Sequence, residues 1–121
     1  MKILIAHASN YDYQTELYEP LKQSAIAKEH TLIFPHDPEN REIETNSHIP
    51  DTDLMIAEVS LPSTGAGIEI GLAQAANIPT LFLYKKGSTP TSALKFIKGT
   101  LIEYTDSSDL VSKIESELKQ N

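Results

Sequence analysis

Cysteine is absent from the sequence, and this absence narrows the chemistry open to the chain. A chain without cysteine forms no disulfide, has no thiolate nucleophile and binds no metal through sulfur, and it suits a reducing compartment. The four histidines, His7, His30, His36 and His48, do not have the spacing of a metal site. We therefore expect a function that requires no metal and no other cofactor.

Long hydrophobic runs are also absent. None of the apolar segments approaches the roughly 20 residues that cross a membrane. Met1-Lys2 leads directly into the apolar residues 3–5, which indicate a first strand. A signal peptide requires a longer apolar region and a small-residue cleavage site. These features predict a cytoplasmic protein with no membrane partner.

Positively charged residues are few, with 10 Lys and Arg against 17 Asp and Glu, a net charge of −7 and a pI near 5.0. Binding along a nucleic-acid backbone requires a basic surface, so we expect no nucleic-acid polymer as a partner. An anionic small molecule remains compatible with this charge, because local amides and hydroxyls can hold a phosphate against an unfavourable overall field.

The 121 residues, of which 40% are hydrophobic, predict a single domain over residues 1–121. Apolar, β-branched segments predict strands at residues 2–7, 31–34, 54–59, 80–84 and 100–104. Helical spacing predicts helices at residues 14–28, from about 68 to 77, at 91–98 and from 106 or 107 onward. Alternating strands and helices predict an α/β fold, a three-layer, doubly wound parallel sheet of the flavodoxin-like or Rossmann-like order 2-1-3-4-5. In that order, ligands bind between strands one and three, outside their carboxyl ends.

Three details qualify this arrangement. Pro20 lies inside the first helical stretch and predicts a kink or a late start. Residues 36–50 are polar and aperiodic, which indicates a loop with one short helical turn around residues 41–45. Asp106 or Ser107 is a suitable N-cap for the last helix.

Residues 53–76 form the most informative stretch of the chain. An apolar strand is followed by the small-residue loop 60–67 and then by a helical pattern, so that amide groups at the helix start can face an anion. We place Glu69 in the first turn of this helix, where the macrodipole favours the ionised carboxylate. A glutamate at this position is also a common structural choice, so both roles stay open at this point.

The same stretch resembles the signature of the nucleoside 2-deoxyribosyltransferase-like family, and within it the 2'-deoxynucleoside 5'-phosphate N-hydrolases. Small, acidic and hydroxyl positions all fall in register with that signature. The matching residues are Ala57-Glu58-Val59, Pro62-Ser63, Gly65-x-Gly67-x-Glu69-x-Gly71 and Ala73. The resemblance covers residues 2–99 in the order of elements and residues 53–76 closely.

The resemblance implies roles for several of these residues. Glu69 matches the glutamate that attacks the anomeric carbon of 2-deoxyribose and forms a covalent glycosyl-enzyme. Ser63 and Ser9 match serines that contact the 5'-phosphate. Ser63 would act together with amides of the segment from Gly65 to Gly67.

Ser92 resembles a second phosphate-binding serine that reaches across a dimer interface, which implies a homodimer with a shared site. A serine at the start of a helix is the alternative role for Ser92, because the loop before it differs in length by one residue.

Two departures from the family pattern concern catalysis. Ile5 stands where the family has a tyrosine in strand one, and the loop at residues 8–11 lacks the family arginine. The family also has an acid before strand three that assists departure of the base, and counting back reaches Thr45. The acids near that position are Glu42, Glu44, Asp51 and Asp53.

Three functions follow from the resemblance. The first is an N-glycosidase of 2'-deoxynucleoside 5'-monophosphates, and the second is transfer of deoxyribose between bases on nucleosides. The third is a nucleotide-binding or sensor module that has lost efficient chemistry.

Two further residues have alternative roles. Glu58 can contact the sugar or pair with a loop amide, and His7 can line the pocket or simply end its strand.

Overall fold

The structure is a computed structural model that describes residues 1–120, and its centre is a five-stranded sheet. The strands are β1 (Lys2–Ala6), β2 (Thr31–Ile33), β3 (Leu54–Glu58), β4 (Thr80–Lys85) and β5 (Thr100–Tyr104). Their order is β2-β1-β3-β4-β5, and every neighbouring pair is parallel. The doubly wound order predicted from the sequence is therefore confirmed. It places the carboxyl ends of β1 and β3 side by side, at the point where ligands bind in such folds.

Helices cover both faces of the sheet. They are α1 (Glu19–Lys22), α2 (Ala25–Glu29), α3 (Thr64–Ala75) and α4 (Ser107–Lys119). One buried cluster joins the sheet to α1, α2 and α4, through residues that include Leu21, Ile26, Leu110 and Ile114. A second cluster joins the opposite face to α3 through Ile70 and Ala73. The predicted three layers are present.

The first helical stretch is broken rather than continuous. A π-helical turn at Gln14–Tyr18 runs into α1, and Ser24 is extended (φ −86°, ψ 166°) before α2 begins. Pro20 accounts for the wide turn, because a proline ring clashes with the carbonyl four residues earlier in a regular α-helix.

The α3 helix begins earlier than the sequence indicates and buries a different face. It starts at Thr64 and buries Ala66, Ile70 and Ala73. Ile68, which belongs to the apolar repeat that predicted the helix, is 56% exposed.

Residues 35–53 form a loop with two 3₁₀ turns, at Thr45–Ser47 and Ile49–Asp51. The single helical turn predicted around residues 41–45 was placed too early in the chain. Pro50 lies in the first turn of the second segment, where its missing N–H costs no hydrogen bond. The Thr45–Ser47 turn packs against α3, so this loop lies over that helix.

Candidate active site

Glu69 is the sixth residue of α3 and lies in its second turn, so the prediction that it lies in the first turn was wrong. The reason is the cap: Ser63 Oγ accepts the Ala66 N–H at 3.1 Å and starts the helix before the two glycines. The macrodipole acts mainly on the first turn, so desolvation decides the ionisation of Glu69. Burial raises the pKa of Glu69 from 4.5 to about 7.

A cavity of about 240 Å³ contains the Glu69 side chain. One wall is α3, where Gly65 lies one turn before Glu69. The other wall is the loop over α3, which contributes Pro35, His36, Asn40, Arg41, Ile43, Thr45 and His48. The lining therefore combines one carboxylate with one guanidinium and two imidazoles.

None of the four acids considered for the second catalytic role lines this cavity. Those acids are Glu42, Glu44, Asp51 and Asp53, and all four are exposed. Asp53 Oδ2 accepts the Lys2 N–H at 2.7 Å, which gives it a structural role at the start of β3. Thr45, reached by counting along the family pattern, does line the cavity, but its side chain has no carboxylate.

Sequence reasoning missed His36, Arg41 and His48 as groups that line the cavity. They lie in an aperiodic loop, so no strand or helix pattern indicates which way they point. The packing of Thr45–Ser47 on α3 brings this part of the loop to Glu69.

His36 is held in place by a cluster of aromatic rings. Its ring centroid lies 4.8 Å from that of His7 and 5.2 Å from that of Tyr13. Its backbone N–H donates to Tyr18 Oη at 3.1 Å. Arg41 Nε donates to the His36 carbonyl at 3.1 Å, which holds the arginine beside the same cavity. These contacts hold His36 and Arg41 in the loop wall of the cavity.

His7 uses both ring nitrogens within the protein. Nδ1 lies 2.7 Å from the Ala8 carbonyl and Nε2 lies 2.6 Å from Tyr18 Oη. Burial lowers the pKa of His7 to about 4, so the ring is neutral at neutral pH. A carbonyl can only accept, so Nδ1 carries the proton and Tyr18 donates to Nε2. Of the two roles considered for His7, lining the pocket or ending its strand, these contacts favour the second.

Ser63 lies at the start of α3 beside a second, smaller cavity of about 80 Å³. Gly67, Thr91 and Leu94 also line this cavity. The Ser63 hydroxyl oxygen accepts the Ala66 N–H, so its own proton remains available to a ligand.

The amides of the predicted segment from Gly65 to Gly67 are not equivalent. Gly67 N–H donates to the Ser63 carbonyl at 3.0 Å, and Ala66 N–H donates to the Ser63 hydroxyl, so neither is open to a phosphate. Gly65, second in the helix, is one of the positions whose N–H has no acceptor within the helix. The backbone amides that can donate to a phosphate are therefore those of the first two residues of α3, Thr64 and Gly65.

Ser9 and Ser92 lie outside both cavities. Ser9 is exposed in the loop after β1, and Ser92 is exposed at the start of a 3₁₀ segment, Ser92–Phe96. Thr91, directly before Ser92, caps that segment by accepting the Ala93 N–H at 3.3 Å. Their predicted phosphate contacts stay predictions.

Glu58 is part of a buried hydrogen-bond network. Its two oxygens accept the Ser60 N–H at 2.7 Å and the Ser60 hydroxyl at 2.8 Å, and Tyr104 Oη donates to it as well. Of the two roles considered for Glu58, contact with the sugar or pairing with a loop amide, this network favours the second. The network lines a cavity of about 310 Å³ that also contains Tyr11 from the loop after β1.

Two larger grooves lie away from the carboxyl ends of β1 and β3. One, of about 710 Å³, runs between α4 and residues 20–24. The other, of about 490 Å³, lies at the starts of β4 and β5. Their positions do not match the ligand edge of a doubly wound sheet, so size alone does not identify the site.

Residues 1–120 contain neither a cluster of metal-binding side chains nor a membrane-spanning helix. No group of three or more His, Asp or Glu side chains there is arranged to hold a metal ion. No helix there is long and apolar enough to span a bilayer.

Comparison with known proteins gives a partial sequence match, although no family model matches the chain. A protein of Syntrophotalea carbinolica named "Putative 2'-deoxynucleoside 5'-phosphate N-hydrolase 1" is 49% identical over 65 residues, which cover 51% of this chain and 46% of that protein. The chain thus spans about half the length of the curated relative that it matches. The resemblance predicted from the sequence is confirmed by this match.

Solved structures agree on the fold. A CMP N-glycosidase of Clostridium botulinum superposes with a TM-score of 0.73, covering 95% of this chain and 99% of that chain at 18% identity. The receiver domain of a hybrid histidine kinase gives a TM-score of 0.58, covering 98% of this chain and 99% of that chain at 15% identity. At these identities the two superpositions establish the fold alone.

Proposed function

We propose that this protein is an N-glycosidase that cleaves the bond between base and deoxyribose in 2'-deoxynucleoside 5'-monophosphates. The observation that carries the proposal is the position of Glu69, half-buried in a cavity one turn after Gly65 in the first half of α3. The partial match to an N-hydrolase supports the same reaction class.

Glu69 acts as the nucleophile in this proposal. Its ionised carboxylate attacks C1' of the sugar, the C1'–N bond breaks, and the base departs with the bonding electron pair. A 2-deoxy sugar lacks the electron-withdrawing 2-hydroxyl, so an oxocarbenium-like transition state is easier to reach. Water then attacks C1' of the glycosyl-Glu69 intermediate and releases deoxyribose 5-phosphate.

The start of α3 supports recognition of a 5'-phosphate. The Ser63 hydroxyl and the unpaired amides at the helix start are donors, and the helix N-terminus favours negative charge. An unphosphorylated nucleoside would leave these donors without an anion, which favours the nucleotide hydrolase over a nucleoside transferase.

The direct test is incubation with each common deoxynucleoside monophosphate, followed by chromatography for free base. We expect product with the wild type and none with Glu69→Gln. We also expect the wild-type mass, after a rapid acid quench, to increase by that of a deoxyribose phosphate. A folded Glu69→Gln protein that keeps most activity would remove Glu69 from the nucleophile role. Faster cleavage of CMP than of its deoxy counterpart would overturn the preference for the deoxy sugar.

A nucleotide-binding module is the second candidate. It is favoured by the cavity itself, which has no carboxylate besides Glu69 among residues 1–120. Thermal stabilisation by a deoxynucleotide without release of base would identify a binder. Exchange with an added free base would identify a transferase.

We also propose that the active form is a homodimer that shares its sites. Phe96 is 86% exposed and Ile68 is 56% exposed, on two segments joined by hydrogen bonds between the Gln74 side chain and the Lys98 backbone. Exposed apolar side chains such as these suit contact with a second copy of the chain, and closed two-fold symmetry is the commonest assembly. Ser92, exposed on the same segment as Phe96, would reach the partner's phosphate.

A further inference from the structure

Departure of the base requires a proton donor that the proposed function has not yet assigned. A nucleobase leaves readily when a ring nitrogen is protonated as the C1'–N bond breaks, and general acids contribute roughly 10²–10⁴-fold to such steps. Glu69 cannot do both tasks in one step, because the nucleophile must be ionised. Within one subunit, we therefore look for the donor among the other groups that line the cavity.

Three cationic or imidazole groups line the cavity with Glu69, namely His36, Arg41 and His48. Arg41 is excluded as an acid, because a guanidinium does not lose its proton in proteins. The His36 ring packs against the rings of His7 and Tyr13, which also contact each other, and this packing limits its movement towards a substrate.

His48 differs from the other two groups in its hydrogen bonding. Its Nε2 is buried and has no hydrogen-bond partner among the described residues. A buried nitrogen without a partner is costly, and such groups in native proteins are commonly completed by a ligand or by water. Because His48 also lines the cavity, a ligand bound there is a candidate partner for this nitrogen.

The backbone holds His48 in place from both sides. The His48 N–H donates to the Thr45 carbonyl at 3.3 Å, and Thr52 Oγ1 donates to the His48 carbonyl at 2.7 Å. The two 3₁₀ turns meet at this residue. The main chain is fixed while the side chain keeps a free nitrogen, which suits a group that transfers a proton.

We propose, on the basis of the proposed function, that His48 is the general acid that protonates the departing base, in place of a carboxylate. The Nε2 proton passes to a ring nitrogen of the base while the C1'–N electron pair moves to the base and Glu69 bonds to C1'. In the second step, neutral Nε2 takes a proton from the attacking water. The C1'–O bond to Glu69 breaks, and the imidazolium is restored.

The experiment compares two substrates with different leaving groups. One is the best deoxynucleoside monophosphate, and the other is 4-nitrophenyl 2-deoxyriboside 5-phosphate, whose phenolate departs without a proton. We expect His48→Gln to slow single-turnover release of the base by at least about 10²-fold. Release of nitrophenolate in the first turnover should stay close to the wild-type rate.

His30→Gln is the matched control. His30 lies directly before β2 and contacts the chain amino group at 3.2 Å, away from the cavity, so both rates should stay at the wild-type level. His48→Asn is a second variant, used if the glutamine variant does not fold.

The outcomes separate this inference from the proposed function. Cleavage of neither substrate by the wild type would overturn the proposed function itself. If the wild type cleaves both, an equal loss on both substrates in His48→Gln would overturn the role in proton transfer. A selective loss in His36→Gln instead of His48→Gln would assign the proton to His36 and would also overturn it.

Discussion

As the proposed nucleophile, Glu69 would have to meet two demands that conflict within one side chain. A nucleophile must be ionised, whereas the desolvation that makes a carboxylate reactive also favours its protonated form. Burial raises the pKa of Glu69 to about 7, so the ligand-free protein holds this group near the midpoint of its titration at neutral pH. Stability is the cost of that arrangement, since folding must desolvate the charge.

Glu69→Gln should therefore stabilise the protein, and the gain should depend on pH. The folded-state pKa lies above the unfolded value of 4.5, so the wild type loses stability as the pH rises from about 4.5 to about 7. The amide does not titrate. We expect the two Tm values to agree below pH 4.5 and to diverge, with the variant higher, up to about pH 7. The exposed Glu39→Gln variant controls for the loss of one negative charge, and a constant difference across this range would contradict the desolvation of Glu69.

Ser63 caps α3 and is proposed to contact a phosphate, and substitution can separate these two roles. Ser63→Ala removes the cap of α3, at a cost of about 1 kcal/mol of folding free energy, together with a proposed phosphate contact worth about 1.5–3 kcal/mol. Ser63→Asp keeps a capping acceptor but repels a phosphate. We expect Ser63→Asp to melt near the wild-type Tm and to raise KM for a deoxynucleotide far more than for the matching nucleoside. Equal increases for both substrates would contradict the phosphate contact.

Prediction from the sequence succeeded where consecutive elements follow a local pattern, as in the strand, loop and helix of residues 54–75, whereas the roles of Glu69 and Ser63 stay predictions. Glu69 and Ser63 lie in a motif where strand, turn and helix follow directly along the chain. Thr45 and His48 lie in an aperiodic loop, and their position depends on contact with α3, which no local pattern encodes. The acids near Thr45 were the natural candidates by charge, and the fold leaves all of them exposed.

At the scale of elements, α3 shows why a helix can be predicted while its buried face is not. Apolar or small residues occupy most of its surface, so helical spacing alone fits more than one face. The sheet selects Ala66, Ile70 and Ala73. Pro20 illustrates the opposite case, because its covalent structure alone predicts a disruption, while the π turn that accommodates it depends on packing.

Two glycine-to-alanine substitutions test these elements in opposite directions. Gly71 lies within α3, and a methyl group there meets nothing within 4 Å, so Gly71→Ala should stabilise the monomer by about 0.5–1 kcal/mol. Gly99 has φ +154°, and a methyl group there would lie 2.9 Å from the Thr80 carbonyl oxygen and would overlap the Phe82 ring. Gly99→Ala should destabilise by about 1–3 kcal/mol. Chemical denaturation measures both changes, and a stabilised Gly99→Ala protein would contradict the close packing at β4.

At the scale of the whole molecule, the described chain leaves its apolar surface at Ile68 and Phe96 without cover. We expect a dimer by solution mass measurement at micromolar concentration, and a monomer for Phe96→Glu. Phe96 is so exposed that its replacement should leave the Tm of the monomer nearly unchanged. A wild-type monomer, even with deoxynucleotide present, would defeat the shared site.

Mixing two inactive variants tests whether subunits share their sites. Glu69→Gln and Ser92→Ala are each expected to be impaired. In a heterodimer with shared sites, one site carries both defects and the other carries neither, so mixing should restore activity. If heterodimers form but no activity returns, Ser92 does not belong to the partner's site.

The strand order also bears on how the chain can fold while it is being synthesised. β1 emerges first and lies inside the sheet, between β2 and β3. Each later strand then adds to an edge that already exists: β2 on one side, and β3, β4 and β5 in turn on the other. No strand has to wait for a later one in order to find its neighbour, so the sheet can grow in the direction of translation. The last of the described helices, α4, then packs Leu110 and Ile114 onto the sheet face that it shares with α1 and α2, and until it emerges part of that apolar face of the nascent chain stays uncovered.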